Sequence, residues 1–141
     1  MYETILIPTD GSDGSARAVE HGIGLAKAFG STVHALYVIE TTAHYVFTVA
    51  GHDPAEIDAA RTHGEQVVNE IVEAAEDEGI DGVGAIATGS IAEEIIDYAT
   101  DTGVDGIVMG ALGRSGVNRY LLGSTTEKVI RTADVPVTVV R

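Results

Sequence analysis

Apolar residues along this chain fall into two alternating kinds of segment. Five short segments are nearly continuously apolar, as in the run from Ile5 to Ile7, which is typical of strands buried on both faces of a sheet. Four longer segments repeat apolar residues every three or four positions, which predicts amphipathic helices. The predicted strands span residues 3–8, 31–39, 82–88, 104–110 and 135–140. The predicted helices span residues 16–29, 54–78, 90–102 and 127–133.

Glycine and serine mark the predicted helix ends. Gly30 stands where the first helix should end, because glycine readily adopts the left-handed conformation of a C-terminal cap. Two serines have the spacing of a capping box, in which the N-cap hydroxyl and a Glu side chain three residues later each bond to a backbone N–H of the other. These pairs are Ser90 with Glu93 and Ser124 with Glu127.

Strands that alternate with helices predict an α/β fold with a doubly wound, five-stranded parallel sheet. The 141 residues suit one domain. Right-handed crossovers allow the flavodoxin-like strand order 3-2-1-4-5, and Gly82 and Gly84 suggest that the third strand lies at an edge. Ligands of such sheets bind at the carboxyl ends of the strands where the order reverses, here between strands 1 and 4. Asp10 and Gly110 should therefore meet in one crevice.

A glycine-containing loop follows the fourth predicted strand. It reads GALGRSGVNRYLLGST from Gly110 to Thr125, a G-x2-G-x9-G-S-T pattern. Glycine lets the main chain approach an anion closely, and the helix N-terminus that follows adds unpaired N–H donors, so the segment suits a phosphate. The alternative is a tight strand-to-helix connection in which Ser124 only caps the helix. That alternative leaves Gly110 and Gly113 without a reason.

The loop resembles the ATP-binding signature of the universal stress protein family, whose ATP-binding members carry G-x2-G-x9-G-[ST]. The resemblance extends over nearly the whole chain, because it also includes Asp10 after the first strand, a second strand that ends near Val38, and a closing Pro-Val-x-Val-Val from Pro136 to Val140. It implies the sheet order of the adenine nucleotide alpha hydrolase-like fold. It also implies a bound adenine nucleotide, namely ATP, AMP or ADP, with Mg²⁺ on the phosphates.

The resemblance also assigns the expected nucleotide contacts. It implies that Asp10 approaches the ribose or the bound Mg²⁺, and that the residue at Val38 contacts adenine through its backbone. The other implied contacts are Pro8, Thr9, Met109, Gly110, Gly113, Arg114, Gly123, Ser124 and Thr125. As a purely structural residue, Asp10 would form an Asx-turn or a helix cap. We favour the functional role because Ser12 and Asp13 already offer caps to the first helix.

The last predicted strand is apolar and would lie at an exposed edge of the sheet. Its valines are Val135, Val137, Val139 and Val140. Exposed edges of this kind are usually blunted or paired. Because members of the resembling family pair this strand with its copy, we expect a homodimer through residues 135–140.

The net charge of the chain limits the classes of molecule that we expect it to bind. Twenty-two acidic against eight basic residues give a net charge of −14, which argues against nucleic acid or an anionic membrane surface. From Gly110 onward the balance is +3, whereas residues 1–109 carry −17, so an anion should bind near the glycine loop. The acidic, lysine-poor composition favours a protein of a salt-loving organism over an ordinary acidic bacterial protein. The N-terminus lacks the features of a signal peptide and no apolar run approaches a membrane span, so we expect a cytoplasmic protein.

We therefore expect a nucleotide-dependent sensor or regulator of the stress response whose downstream protein partner the sequence does not name. The alternative is a slow ATPase or autophosphorylating enzyme that uses the same site, with Ser124 or Thr125 as acceptor. No catalytic residue is assigned, because Glu127 is the only acid in the motif region and fits the capping box. A flavin carrier would need a phosphate loop after the first strand and an aromatic sandwich, and neither is evident.

Two features receive no site assignment. Residues 41–53 have no clear period and form either a lid over the site or a plain connection. The five histidines do not stand at the spacing of a metal-ligand pair, so we expect no dedicated transition-metal site.

Overall fold

Every predicted strand and helix is present in the computed structural model, which describes residues 1–41, 54–112 and 122–141. The strands are β1 (Thr4–Pro8), β2 (Thr32–Glu40), β3 (Gly82–Gly89), β4 (Gly106–Gly110) and β5 (Val137–Val140). The helices are α1 (Asp13–Phe29), α2 (Pro54–Asp77), α3 (Ile91–Thr102) and α4 (Ser124–Thr132). The predicted lid or connection at residues 42–53 lies outside the described residues, as do Gly113 and Arg114.

The strands form one parallel sheet in the order β3-β2-β1-β4-β5, so the predicted fold class is confirmed. β1 lies at the centre between β2 and β4, where a strand covered on both faces must be apolar throughout. Ile5, Leu6 and Ile7 are accordingly fully buried. β3 is an edge strand, as its glycines suggested.

Side chains of the strands alternate between two hydrophobic cores. In β2, Val33, Ala35, Tyr37 and Ile39 pack into the core under α1 and α2. The other face of β2 joins the core under α3 and α4, as the predicted alternation required. On that face the Nδ1 atom of His34 lies 2.8 Å from the hydroxyl of Tyr98 on α3. Partial burial lowers the pKa of His34 because it disfavours the charged form.

Two helical glycines allow their helices to approach the sheet closely. A Cβ at Gly22 of α1 would lie 2.6 Å from Cδ1 of Ile7, and one at Gly64 of α2 would lie 2.5 Å from Cδ1 of Tyr37. Both distances are far shorter than a carbon–carbon contact, so a side chain at either position would force the facing side chain or the helix itself to shift.

Several element boundaries differ from the predicted ones because backbone groups find other partners. β4 begins at Gly106 rather than at Val104, since the Val104 N–H donates to the Ala99 carbonyl 3.2 Å away and closes the end of α3. β5 begins after Pro136, whose ring nitrogen has no N–H for the ladder. α1 begins at Asp13 because Ser12 is its N-cap. No helix in the described part of the chain is both long and apolar enough to span a membrane.

Candidate nucleotide site

A pocket of about 500 Å³ opens at the carboxyl ends of β1, β2 and β4. Its wall on the β2 side is largely apolar and includes Leu36, Val38 and Ile39, with Ala60 of α2 and Ile91 and Ile95 of α3. Its wall on the β4 side is formed by glycine and hydroxyl residues: Gly110, Gly123, Ser124, Thr125 and Thr126. Asp10 and Ser15 line the pocket beside β1. The pocket therefore offers an apolar region for a ring system and a polar region for hydrogen bonding.

The turn between β1 and α1 holds the Asp10 carboxylate in place. Asp10 Oδ1 accepts a hydrogen bond from the backbone N–H of Ser12 at 2.9 Å, which is an Asx-turn, and a second from the Ser15 hydroxyl at 2.7 Å. The Ser12 hydroxyl accepts from the Ser15 N–H at 3.3 Å and caps the helix. The capping role thus belongs to Ser12. Asp10 makes the Asx-turn that was the structural alternative to a role in binding, and it also lines the pocket.

The two ends of the glycine loop are joined by hydrogen bonds. The Thr126 hydroxyl, on a residue only 4% exposed, donates to the Gly110 carbonyl at 2.8 Å. The Gly123 N–H donates to the Ala111 carbonyl at 2.7 Å. These bonds fix where β4 ends and where α4 begins, so the two described ends of the loop lie at the pocket.

The predicted capping box at Ser124 is wrong. The N-cap of α4 is Gly123, and Ser124 is the first helical residue. The Gly123 carbonyl accepts the first helical bond, from the Glu127 N–H at 3.0 Å, whereas the Glu127 carboxylate pairs with Arg131. A glycine N-cap has no side chain with which to bond the first N–H groups of the helix.

The capping box at Ser90 is also wrong in part. Ser90 is the N-cap of α3, as predicted, but its side chain makes no capping bond within the described residues. Glu93 lies 3.4 Å from Nζ of Lys128 on α4, at an exposed position. The Glu93 carboxylate thus has the ammonium group of Lys128 as a partner, in place of the N-cap N–H that a capping box would supply.

Gly110 has a packing role that the sequence analysis did not foresee. A Cβ at this position would lie 3.2 Å from the carbonyl oxygen of Gly14, and a Cβ at Gly14 would lie 3.0 Å from that of Leu112. The start of α1 and the end of β4 thus touch through their backbones. A side chain at position 110 would have to displace this backbone contact by a few tenths of an ångström, so glycine suits the position independently of any ligand.

All the predicted contact residues that the structure describes line the pocket: Pro8, Thr9, Asp10, Val38, Met109, Gly110, Gly123, Ser124 and Thr125. They come from separate parts of the chain and meet because β1 lies between β2 and β4. Gly113 and Arg114 lie outside the described residues.

Sequence reasoning missed several residues of the pocket wall. They are Ser15, Leu36, Tyr37, Ile39, Glu40, Ala60, Ile91, Ile95, Leu112 and Thr126. For those near strand ends or in first helical turns, such as Glu40, Ile91 and Thr126, this position was a usable signal once the strand order was known. Ala60 had no such signal, because it depends on how α2 crosses the sheet. In the ranges 1–41, 54–112 and 122–141, no three His, Cys, Asp or Glu side chains form a metal-binding group.

Comparison with known proteins agrees with this geometry. The family model of the universal stress protein family matches residues 1–141. The chain is similar to the universal stress protein MJ0531 of Methanocaldococcus jannaschii, at 36% identity over 141 residues that cover all of this chain and 83% of the relative. It is also similar to the universal stress protein YxiE of Bacillus subtilis, at 32% identity with both chains fully covered.

Solved structures share the fold. UspA from Lactobacillus plantarum superposes with a TM-score of 0.89 at 27% identity, covering 99% of this chain and 98% of the other. A universal stress protein in complex with cAMP has a TM-score of 0.71 at 23% identity, with 99% and 97% covered. The Archaeoglobus fulgidus protein in complex with dAMP has a TM-score of 0.70 at 20% identity, with 99% and 98% covered. By its sequence and its fold, the chain belongs to the universal stress protein family.

Proposed function

We propose that this chain binds ATP with Mg²⁺ in the pocket at the carboxyl ends of β1, β2 and β4, and that it acts as a nucleotide-dependent sensor or regulator of the stress response. The observation that carries the proposal is the division of the pocket into an apolar wall and a polar wall. Adenine suits the apolar wall on the β2 side, and phosphates suit the glycine and hydroxyl wall on the β4 side. The family members that are complexed with cAMP and dAMP make an adenine nucleotide the first ligand to test.

The start of α4 supports a phosphate at the β4 wall. Its N-cap is a glycine, no side chain of the described residues caps the helix, and Ser124 and Thr125 of its first turn line the pocket, so the N–H groups of this turn are suited to an anion. The partial positive charge of a helix N-terminus favours an anion at this position. The sequence of the loop interior also contains Arg114 and Arg119, in the one part of an acidic chain that has a positive balance.

The side chains of the pocket are compatible with a magnesium ion. Asp10 and Glu40 are the acidic residues that line it in the described chain. Asp10 follows β1, which pairs directly with β4, so its carboxylate is the one next to the proposed phosphate region. Proteins commonly hold Mg²⁺ through one or two carboxylates together with substrate phosphates, which matches a single carboxylate here. When bound, the ion would neutralise phosphate charge.

Binding without rapid hydrolysis is the behaviour expected of a sensor. Fast phosphoryl transfer needs a group that positions the attacking water or hydroxyl in line with the leaving group. Glu127 pairs with Arg131 and does not line the described pocket, and Asp10 accepts two hydrogen bonds within its own turn. The second candidate function remains slow hydrolysis or autophosphorylation, for which hydroxyls at Ser124 and Thr125 line the pocket.

The binding proposal is tested by calorimetric titration of the purified protein with Mg-ATP, AMP and adenosine. We expect saturable binding that is lost in Gly113→Val, because the resemblance to the ATP-binding signature implies a phosphate contact at this position, and glycine allows the main chain to approach an anion closely. Gly24→Val is the matched control, since Gly24 is exposed on α1 with no atom within 4 Å of the added Cβ. Unchanged affinity in Gly113→Val would contradict the site assignment.

The choice between sensor and enzyme is tested by phosphate release at saturating Mg-ATP. We expect a rate well below the ordinary enzyme range of roughly 1 per second or more. A rate within that range that disappears in Asp10→Ala would make the protein an ATPase.

A further inference from the structure

Ser15 and Asp10 make a reciprocal pair of hydrogen bonds. The Ser15 hydroxyl donates to Asp10 Oδ1 at 2.7 Å and accepts from the Asp10 backbone N–H at 3.3 Å. A serine hydroxyl can donate and accept at the same time, so one oxygen atom contacts both the backbone and the carboxylate of the same residue. Two independent points of contact restrain the orientation of the Asp10 side chain.

This use of Ser15 departs from the usual start of a helix. Ser12 is the N-cap and Ser15 stands three residues later, where a capping box has a Glu or Gln that accepts from the N-cap N–H. Here Asp10 accepts from the Ser12 N–H instead, at 2.9 Å. The short serine is therefore not needed as the acceptor for the N-cap, and its hydroxyl is directed to Asp10.

Ser15 is also buried, although it lines the pocket. It is 7% exposed, and its own N–H is bonded to the Ser12 hydroxyl at 3.3 Å. Removing the buried hydroxyl, as in Ser15→Ala, would leave the Asp10 N–H without this acceptor and Oδ1 without this donor.

The helix that carries Ser15 is anchored to the other side of the pocket. Gly14 contacts the start of the glycine loop. A Cβ at Gly14 would lie 3.0 Å from the Leu112 carbonyl oxygen, and a Cβ at Gly110 would lie 3.2 Å from the Gly14 carbonyl oxygen. Ser15 follows Gly14 directly. The Gly14 contact therefore holds Ser15 in place relative to the phosphate region, and the hydrogen bonds of Ser15 hold the Asp10 carboxylate in turn.

We propose that Ser15 is a positioning residue for nucleotide binding, which holds the Asp10 carboxylate in the orientation that receives the ligand. The proposal rests on the proposed function of the pocket. Ser15 acts through Asp10, and no contact between Ser15 and the ligand is required. The hydroxyl should therefore matter only while the Asp10 carboxylate is present.

The test is a double-mutant cycle on the full chain, with Mg-ATP affinity measured by calorimetry. Ser15→Ala should weaken Mg-ATP binding about tenfold, near the lower end of what losing one hydrogen bond to a charged group produces. In an Asp10→Ala background, the same Ser15→Ala change should have no further effect, because the group that it positions is gone. Adenosine gives the second reading: a loss confined to Mg-ATP assigns the carboxylate to the metal and phosphates, and an equal loss for adenosine assigns it to the ribose.

Ser31→Ala is the matched control. It removes a hydroxyl from another buried serine, 4% exposed, which donates to the Tyr2 carbonyl just before β2, at the opposite edge of the sheet from the pocket. Its stability should fall by loss of this hydrogen bond, while its Mg-ATP affinity should match that of the wild type. If Ser15→Ala fails to fold, Ser15→Cys retains the shape of the side chain with a much weaker donor and takes its place in the cycle.

The outcomes separate this inference from the proposed function. Equal losses from Ser15→Ala in the wild-type and Asp10→Ala backgrounds would mean that Ser15 acts independently of Asp10 and would overturn the positioning role. Wild-type affinity in Ser15→Ala would overturn it as well, while nucleotide binding would stand. A wild-type protein that bound none of these ligands would overturn both.

Discussion

Ser124→Asp tests whether the N-terminus of α4 receives phosphate. Ser124 is the first residue of the helix, its side chain is exposed, and it lines the pocket. An added carboxylate would compete for the N–H groups of the first helical turn and would repel the ligand. Two unit charges about 6 Å apart repel by about 3 kcal/mol at an effective dielectric constant of about 20. We therefore expect Mg-ATP affinity to fall roughly 100-fold.

The same substitution should slightly stabilise the fold. A negative charge in the first turn of a helix is favourable by about 0.3–1 kcal/mol. Thr132→Asp is the matched control, since it adds the same charge to the last residue of the same nine-residue helix, at an exposed position about 12 Å away. At physiological salt that separation exceeds the Debye length of about 8 Å, so affinity should be unchanged while stability falls.

Calorimetry with Mg-ATP and adenosine, together with thermal melts of the three proteins, measures both effects. Adenosine carries no phosphate, so Ser124→Asp should bind it as the wild type does. Wild-type affinity of Ser124→Asp for Mg-ATP would show that phosphate does not lie at this helix N-terminus. A parallel loss of adenosine binding would mean that the substitution damages the pocket rather than repelling phosphate.

Three further predictions concern the fold and the assembly. Gly24→Ala should raise the free energy of unfolding by about 0.5–1 kcal/mol, because an exposed glycine in a helix is unfavourable. Gly22→Ala should lower the free energy of unfolding by about 1–3 kcal/mol, because its Cβ would lie 2.6 Å from Cδ1 of Ile7. Thermal melts that move both variants in the same direction would contradict the close packing of α1. The edge strand β5 should pair with that of a second copy, so light scattering should report twice the chain mass of 14.6 kDa, and a monomer at micromolar concentration and high salt would exclude this dimer. The net charge of −14 should make the melting temperature rise with KCl, because the screening length shortens from about 30 Å at 0.01 M to about 3 Å at 1 M; a flat or falling dependence would remove the inference of a salt-loving source.

The elements and their order could be predicted because apolar periodicity records how each segment is buried. The run from Ile5 to Ile7 is apolar because a central parallel strand is covered on both faces, and all three residues are fully buried. The alternation of strands and helices, combined with right-handed crossovers, left few possible strand orders. Asp10 and Gly110 could be placed in one crevice for the same reason, since the ends of neighbouring parallel strands meet at one edge.

Contacts between distant segments could not be predicted, because they depend on how helices lie on the sheet. The Ser-x-x-Glu spacing at Ser124 suits a capping box, yet the bonds of Gly123 to Ala111 and of Thr126 to Gly110 set the helix start one residue too early for it. Nothing local marks Gly22 or Gly64 as tight contacts, since the atoms that they approach belong to β1 and β2. The contact of Ser15 with Asp10 is local, but it depends on the dihedral angles of the turn, which place the Ser15 hydroxyl 2.7 Å from Asp10 Oδ1. The sequence by itself thus determined which segments form the sheet and which of its ends carries the pocket, because periodicity and chain order are local properties. Only the tertiary structure decided which polar atoms meet there, because those distances depend on the geometry of the turns and on segments far apart in the chain.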